Sequence, residues 1–256
     1  MNKNLQNQDY IMVKNVNKQF VHEGETLEIL KNIDFQVKKG EILCIVGASG
    51  CGKSTLLRMI AGIDQNHTGE VIIDGERITT PGKKRGMVFQ EHRLFPWMNV
   101  EQNVGYVLHG ISKKERKTLV KPFLELVGLQ GFEKAYPRHL SGGMAQRAGI
   151  ARALVTQPDV LLLDEPFGAL DAFTKISLQK ELKKIQKKFQ TTMILVTHDI
   201  EEAVFLGDSI LVLSSRPGKI RKQLSVQLPE PRNRNSEEFL QIRKIIYEEF
   251  LGNKTI

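Results

Sequence analysis

Cysteine is scarce in this chain, with two among 256 residues, and there is a single tryptophan. Cys44 falls in an apolar run and Cys51 in a glycine-rich loop, a setting that fits two reduced cytosolic thiols and not a disulfide. Also missing is any apolar run of the roughly 18 residues that a membrane-spanning helix needs. Met1-Asn2-Lys3-Asn4 opens the sequence without an apolar signal core, so the expectation is a chain that stays in the cytoplasm and cannot cross a membrane unaided. There is no acidic excess: 37 Lys and Arg against 29 Asp and Glu give a net charge of +8. The basic residues are spread along the chain without the aromatic interleaving of an RNA-binding sheet. A solvated surface, near an anionic membrane face, is expected in place of a nucleic-acid site. No internal repeat is visible, and the length suits one large or two small domains with a real hydrophobic core.

What the sequence does hold is concentrated at Gly47-Ala48-Ser49-Gly50-Cys51-Gly52-Lys53-Ser54-Thr55. The stretch fits G-x-x-x-x-G-K-[ST] and follows an apolar run at 41–46 that reads as a buried strand. Behind it, Leu56, Leu57 and Ile60 mark one face of a helix that stops at Gly62. In that strand–loop–helix context the glycines allow backbone N–H groups to turn toward an anion, and the helix start adds partial positive charge. Lys53 can reach β- and γ-phosphates and the Ser54 hydroxyl can bind Mg²⁺, so a nucleoside triphosphate is the expected ligand.

Around this loop the pattern is α/β. Alternating apolar positions at 11–13 and 29–37 predict N-terminal strands with a turn at Glu23-Gly24-Glu25, and 69–75 predicts another strand. Phe20 either packs on that sheet or offers a flat face to a base. A short strand at 87–89 ends in Gln90, a polar amide where α/β sheets place ligand groups. From 91 to about 152 strand signals vanish, which predicts an inserted helical subdomain. Within it, Leu94-Phe95-Pro96-Trp97 reads as an exposed apolar knot. Ser112 and Glu115 form a capping-box pattern. Leu119, Phe123, Leu124 and Val127 share a face, and Pro122 predicts a kink or restart. Ser141-Gly142-Gly143 opens a helix with Met144, Ala148, Ala151 and Leu154 on one face, either a plain N-cap or a second anion-binding start. The run at 160–163 ends in Asp164 and Glu165, which point to opposite faces and so take different tasks: Asp164 for the Mg²⁺ shell, Glu165 as a general base. After the turn at 168–171, a helix from about Thr174 is expected to bury Leu178, Leu182, Ile185 and Phe189 and to turn Lys183, Lys184, Lys187 and Lys188 outward. A buried strand at 192–197 ends at His198, whose imidazole can donate to a phosphate oxygen. A strand at 209–213, a turn at 216–219, an extended linker at 228–234 and a terminal helix with Phe239, Ile242, Ile245, Ile246 and Phe250 complete the chain.

The ordered set GASGCGKST, Gln90, LSGG at 140–143, VLLLDEP at 160–166, GALD at 168–171 and His198 resembles the nucleotide-binding subunit of ABC transporters over roughly residues 10–220. The resemblance implies a P-loop NTPase with a RecA-like core, an N-terminal antiparallel β portion, a helical subdomain at about 91–152 and an extension at 221–256. By the same resemblance Lys53, Ser54 and the loop amides hold ATP and Mg²⁺, Phe20 stacks on adenine, and Gln90 senses Mg²⁺ and the membrane partner. Glu165 is the catalytic base and His198 the γ-phosphate switch. Ser141 and Gly143 reach the ATP of a second subunit, with Asp171 at the same dimer interface. The sequence departs from the common pattern at Met144, where Gln is usual, with Gln146 two places on, and at Phe20, where Tyr is commoner.

Within the family the sequence looks most like the nitrate, sulfonate and taurine importers. The carrying pieces are QEHRLFPW at 90–97, LSGGM, DEPFGALDAFT, SRPGKI at 215–220 and the tail LPEPRNRNSEEF. The implied partners are a second copy, permease subunits in the membrane and, indirectly, a solute-binding protein, with the chain peripheral on the cytoplasmic face. The rivals are an exporter or lipoprotein-release ATPase and a soluble ABC ATPase of translation or repair. The latter usually has two cassettes or a long coiled coil, and neither is present here.

Overall fold

The computed structural model describes residues 9–22 and 24–251, which leaves Glu23 of the expected turn, and the polar start at 1–4, outside the described residues. The chain divides into two compact units, one made of residues 1–82 and 192–256, the other of residues 83–191. In the first unit, β1 (Asp9–His22) and β2 (Glu25–Lys38) form a long antiparallel ladder from Phe20 opposite Leu27 to Asp9 opposite Lys38, with register shifts at four places between them. Ile33, Phe35 and Val37 of β2 alternate inward, the period of a half-buried strand. Then come β3 (Ile42–Val46), α1 (Lys53–Ile60), β4 (Thr68–Ile73) and the two-residue β5 (Glu76–Arg77). The antiparallel sheet is ordered β2-β1-β4-β5.

The second unit holds β6 (Arg85–Val88), α2 (Val100–Gly105), α3 (Lys113–Leu126), α4 (Gly142–Leu154), β7 (Val160–Asp164) and α5 (Ala172–Phe189). Here β6 and β7 pair in parallel, with Val88 opposite Leu163. The chain then returns to the first unit with β8 (Thr192–Thr197), α6 (Ile200–Leu206), β9 (Ser209–Leu213), β10 (Ile220–Ser225) and α7 (Glu237–Leu251). There β3 is parallel to both β8 and β9, while β10 closes the edge antiparallel to β9. Every residue of β3, β8 and β9 is buried, as expected for parallel strands covered on both faces.

Several helices differ in detail from the sequence expectation. α3 runs through Pro122 as one element, and its buried residues are Val120 and Leu124, with Val127 after them; Leu119 is exposed. Packing of α3 on α2 and α4 offsets the ~3 kcal/mol cost of an interior proline. Ser112 caps α3 by accepting from the Glu115 amide at 3.2 Å, whereas a complete capping box stands on α2, between Asn99 and Gln102. α5 begins at Ala172, buries Lys183 together with Gln179 and Gln186, and leaves Phe189 part-exposed. In α4, Met144 is only half-buried while Ala145, Gln146 and Ile150 are buried. The stretch at 228–234 is no free linker, because Arg232 is buried.

Candidate active site

The glycine loop leaves β3 after Val46, and His198 leaves β8 after Thr197. Val46 and Thr197 are register partners in a parallel pair, so the loop and the imidazole emerge from the same carboxyl edge of the first unit's sheet. α1 packs on β8 behind that edge. Its N-cap is Gly52, at φ 103, and no side chain caps the helix start. A Cβ at Gly52 would stand 2.7 Å from Leu30, and that φ strains any L side chain, so both space and conformation require glycine there. Lys53 is 5% exposed, and its ammonium donates to the Gly47 and Ala48 carbonyls at 2.8 and 3.1 Å. Lys53 thus holds its charge across the loop, beside the backbone amides at the start of α1, whose N-cap glycine offers no side chain. That is the donor set of a phosphate site. Burial pushes the Cys51 thiol above its ordinary range, although Lys53 opposes the shift. Both cysteines are buried and free.

Phe20 lies on β1 with 45% of its surface exposed, and the Lys18 ammonium sits 4.6 Å from its ring centroid. Lys18 itself is held by Asp64 at 2.8 Å and the Asn66 carbonyl at 2.6 Å. Two supports of the loop were not visible in the sequence. Arg216, which reads as part of a turn and of the SRPGKI piece with nothing to indicate a contact to the loop, donates from Nε and Nη2 to the Gly50 carbonyl at 3.2 and 3.1 Å. The adjoining Gly218 is tied to the end of β2's buried stretch, donating to Ile29 and accepting from Lys31. Asp199, beside His198, caps α6 by accepting from the Glu201 and Glu202 amides.

In the second unit the parallel pair β6–β7 places Gln90 and the Asp164–Glu165 pair at one edge. Gln90 Nε2 lies 3.5 Å from Glu165 Oε2. Asp164 is 1% exposed, whereas Glu165 turns away from the strand with φ 45, a left-handed conformation rare outside glycine and common at functional positions. β7 ends at Asp164, so Glu165 stands outside the strand alternation expected of the pair, and the two differ instead as one buried and one half-buried residue. Ser141 caps α4, accepting from the Met144 amide at 3.2 Å. A Cβ on Gly143 would come within 3.2 Å of the Ala169 carbonyl, so α4's start and the turn before Asp171 are packed together. Asp171 caps α5, and its hydrogen bonds to Thr174 hold the carboxyl below the usual range. α4 also steadies the Gln90 segment: Gln146 Nε2 donates to the Phe89 carbonyl at 3.3 Å, and Arg152 donates to the carbonyls of Arg93 and His92. Arg147 donates to the Val127 and Gly128 carbonyls at the end of α3; burial lowers its pKa while Asp171 acts in the other direction.

The apolar knot is organised by Asn103. This fully buried amide accepts from the Phe95 N–H at 2.8 Å and donates to the carbonyls of Phe95, Met98 and Asn99. Leu94 goes inward, while Trp97 is 68% exposed beside Phe95 and Tyr106, with ring centroids 5.5 and 4.6 Å from that of Phe95.

Residues 30–168 match the family described as ABC transporter. The chain belongs to that family. It is 53% identical over 240 residues, 94% of this chain and 95% of the other, to the Aliphatic sulfonates import ATP-binding protein SsuB of Bacillus cereus. It is 50% identical over 231 residues to the Nitrate import ATP-binding protein NrtD of a Synechocystis species, covering 88% of this chain and 87% of that one. Among solved structures, the dimeric post-hydrolysis state of the ATP-binding cassette MJ0796 bound to ADP and Pi superposes with a TM-score of 0.78 at 33% identity, over 85% of this chain and 99% of that chain. As an ABC cassette with these relatives the chain is an ATP-binding ATPase subunit, with the P-loop NTPase fold. Among the described residues no helix is long and apolar enough to cross a membrane.

Proposed function

We propose that this chain is the ATP-hydrolysing subunit of an importer for a small anion, an alkanesulfonate or taurine, with nitrate as the second reading. The observation that supports the ATPase chemistry is the glycine loop at the head of α1 with the buried Lys53 ammonium across it, on the same sheet edge as His198. The solute rests on the relatives named for sulfonate and nitrate import.

In this reading the amides of residues 47–55 and the Lys53 ammonium bind the β- and γ-phosphates, and Phe20 stacks on the adenine. Ser54 and Asp164, with Gln90, would hold Mg²⁺, which supplies charge neutralisation on the phosphates. No cluster of three or more His, Cys, Asp or Glu suited to a metal is found among the described residues. A shell of one carboxylate, one hydroxyl and one amide suits an ion that keeps waters and phosphate oxygens as its other ligands. Glu165 takes the proton from the attacking water, and Gln90, within reach of its carboxylate, orients that group. His198 donates to the γ-phosphate. Ser141 and Gly143 complete the site of a second copy, with Asp171 at that interface. The exposed Trp97 and Tyr106, with the half-buried Phe95 between them, meet the membrane permease, whose partner beyond the membrane is a solute-binding protein. The cassette spans 10–220 with its helical subdomain at about 91–152, the extension follows at 221–256, and the assembly sits on the cytoplasmic membrane face.

Deleting the gene tests the solute: the strain should grow on sulfate and fail on alkanesulfonates or taurine as sole sulfur source. Normal growth on every sulfonate together with a defect on nitrate moves the substrate to the second reading.

A further inference from the structure

α6 has seven residues, too few to hold a helix by itself, and it begins two residues after His198. Its N-terminal end is fixed from within: Asp199 caps it, the Asp199 amide donates to Thr197 Oγ1 at 3.0 Å, and that hydroxyl donates to buried Glu202. Its other end is fixed from the C-terminal extension. Arg232, whose side chain is 3% exposed, donates from Nη1 to the carbonyls of Val204, Phe205 and Gly207 at 2.8, 3.2 and 2.6 Å. Those carbonyls end α6, where a cation is favoured by the helix dipole. Asp208 and Glu230 stand 3.4 and 3.3 Å from the same guanidinium. Along the helix, Arg243 of α7 pairs with Glu201 at 2.6 Å, and Arg234 lies 4.5 Å above the Phe205 ring. α7 is itself anchored by Phe239 and Ile246, both fully buried, and packs on α6. A guanidinium is costly to bury, so a segment that only trails from the sheet would leave Arg232 in water. Here Nη1 is spent on the end of the short helix that follows His198, while Nη2 reaches Asp208.

We propose that the extension from Glu230 through α7 is a brace on α6, and that Arg232 and Arg243 are positioning residues for His198; this rests on the reading of His198 as the γ-phosphate contact. A brace acts on turnover, since Lys53 and the glycine loop bind nucleotide without α6. The full chain carrying Arg243→Ala or Arg232→Lys should therefore lose roughly three- to tenfold in kcat at an unchanged KM for ATP. Amides 198–206 should exchange hydrogen faster. Combining Arg243→Glu with Glu201→Arg should recover most of kcat and of the protection, which a general loss of stability would not do. The swap also keeps the test decisive if Arg232 variants fail to fold. Unchanged exchange over 198–206, or faster exchange with kcat intact, overturns the brace. His198→Ala is measured alongside. If it keeps full activity, the reading of His198 fails, and the structural brace is then decided by the exchange and its recovery in the swap alone.

Discussion

Two helix starts in this molecule carry glycines and invite the same interpretation, yet they are built differently. α1 begins at Gly52, an N-cap with no side chain to cap the helix, and Lys53 lies across the loop in front of it. α4 begins at Ser141, whose hydroxyl already accepts from the Met144 amide, and the next glycines lie against the turn at 168–171. At the first start the N-cap offers no acceptor of its own, whereas at the second the Ser141 hydroxyl already holds one amide. A triphosphate should therefore be bound by α1 alone, while α4 should engage one only when a stronger acceptor arrives from elsewhere. The two starts separate affinity from turnover.

The largest effect should come from the group that acts after both starts are engaged. Glu165→Gln should cut hydrolysis on the order of 10²-fold or more and leave ATP binding intact, with a dimer trapped on nucleotide. Wild-type turnover in that variant removes Glu165 as the base. Next is Lys53→Ala, which should weaken ATP binding by about 10²-fold in an isothermal titration, because a near-buried ammonium is removed from the phosphate site. Ser141→Ala should behave in the opposite way. Its ATP affinity should stay within about twofold of wild type, turnover should fall roughly tenfold, and thermal stability should drop by the ~1 kcal/mol of a lost N-cap. If the Ser141 and Lys53 variants show the same profile, the two starts are not different in kind. Arg216→Ala should have a smaller effect, raising the KM for ATP about threefold by releasing the Gly50 carbonyl, with Arg216→Lys recovering part of it. The thiol offers a separate check that does not bear on turnover. Burial raises the Cys51 pKa, so iodoacetamide should label the folded chain at neutral pH at least about tenfold more slowly than the chain in urea.

The two starts also differ in how far the sequence exposed them. The glycine loop was legible because motif, preceding strand and following helix are consecutive, and local chemistry decides their conformation. The parallel strands were legible as unbroken apolar runs at β3, β7, β8 and β9. What could not be read depends on partners far apart in the chain. Arg216 serves a carbonyl 166 residues away, and Arg232 looked like part of a linker because its acceptors belong to α6. Lys183 shows the same difficulty on a helix: a lysine face reads as solvated until neighbouring elements cover one member of it. The left-handed turn at Glu165 has no marker in composition, since nothing but its position after β7 distinguishes it from an ordinary strand-end carboxylate.

The most direct test of the division between the two starts is a mixing experiment. Chains carrying Ser141→Arg and chains carrying Lys53→Ala are each purified, combined, and assayed for ATP hydrolysis while mixed-dimer formation is followed by differential tags. In a mixed dimer one site joins an intact glycine loop from the first chain to an intact Ser141 from the second, and the other site carries both defects. The account predicts ATPase activity in the mixture above that of either variant alone, approaching half the wild-type rate per mixed dimer if the two sites turn over independently. Mixed dimers that form and show no recovery would contradict it.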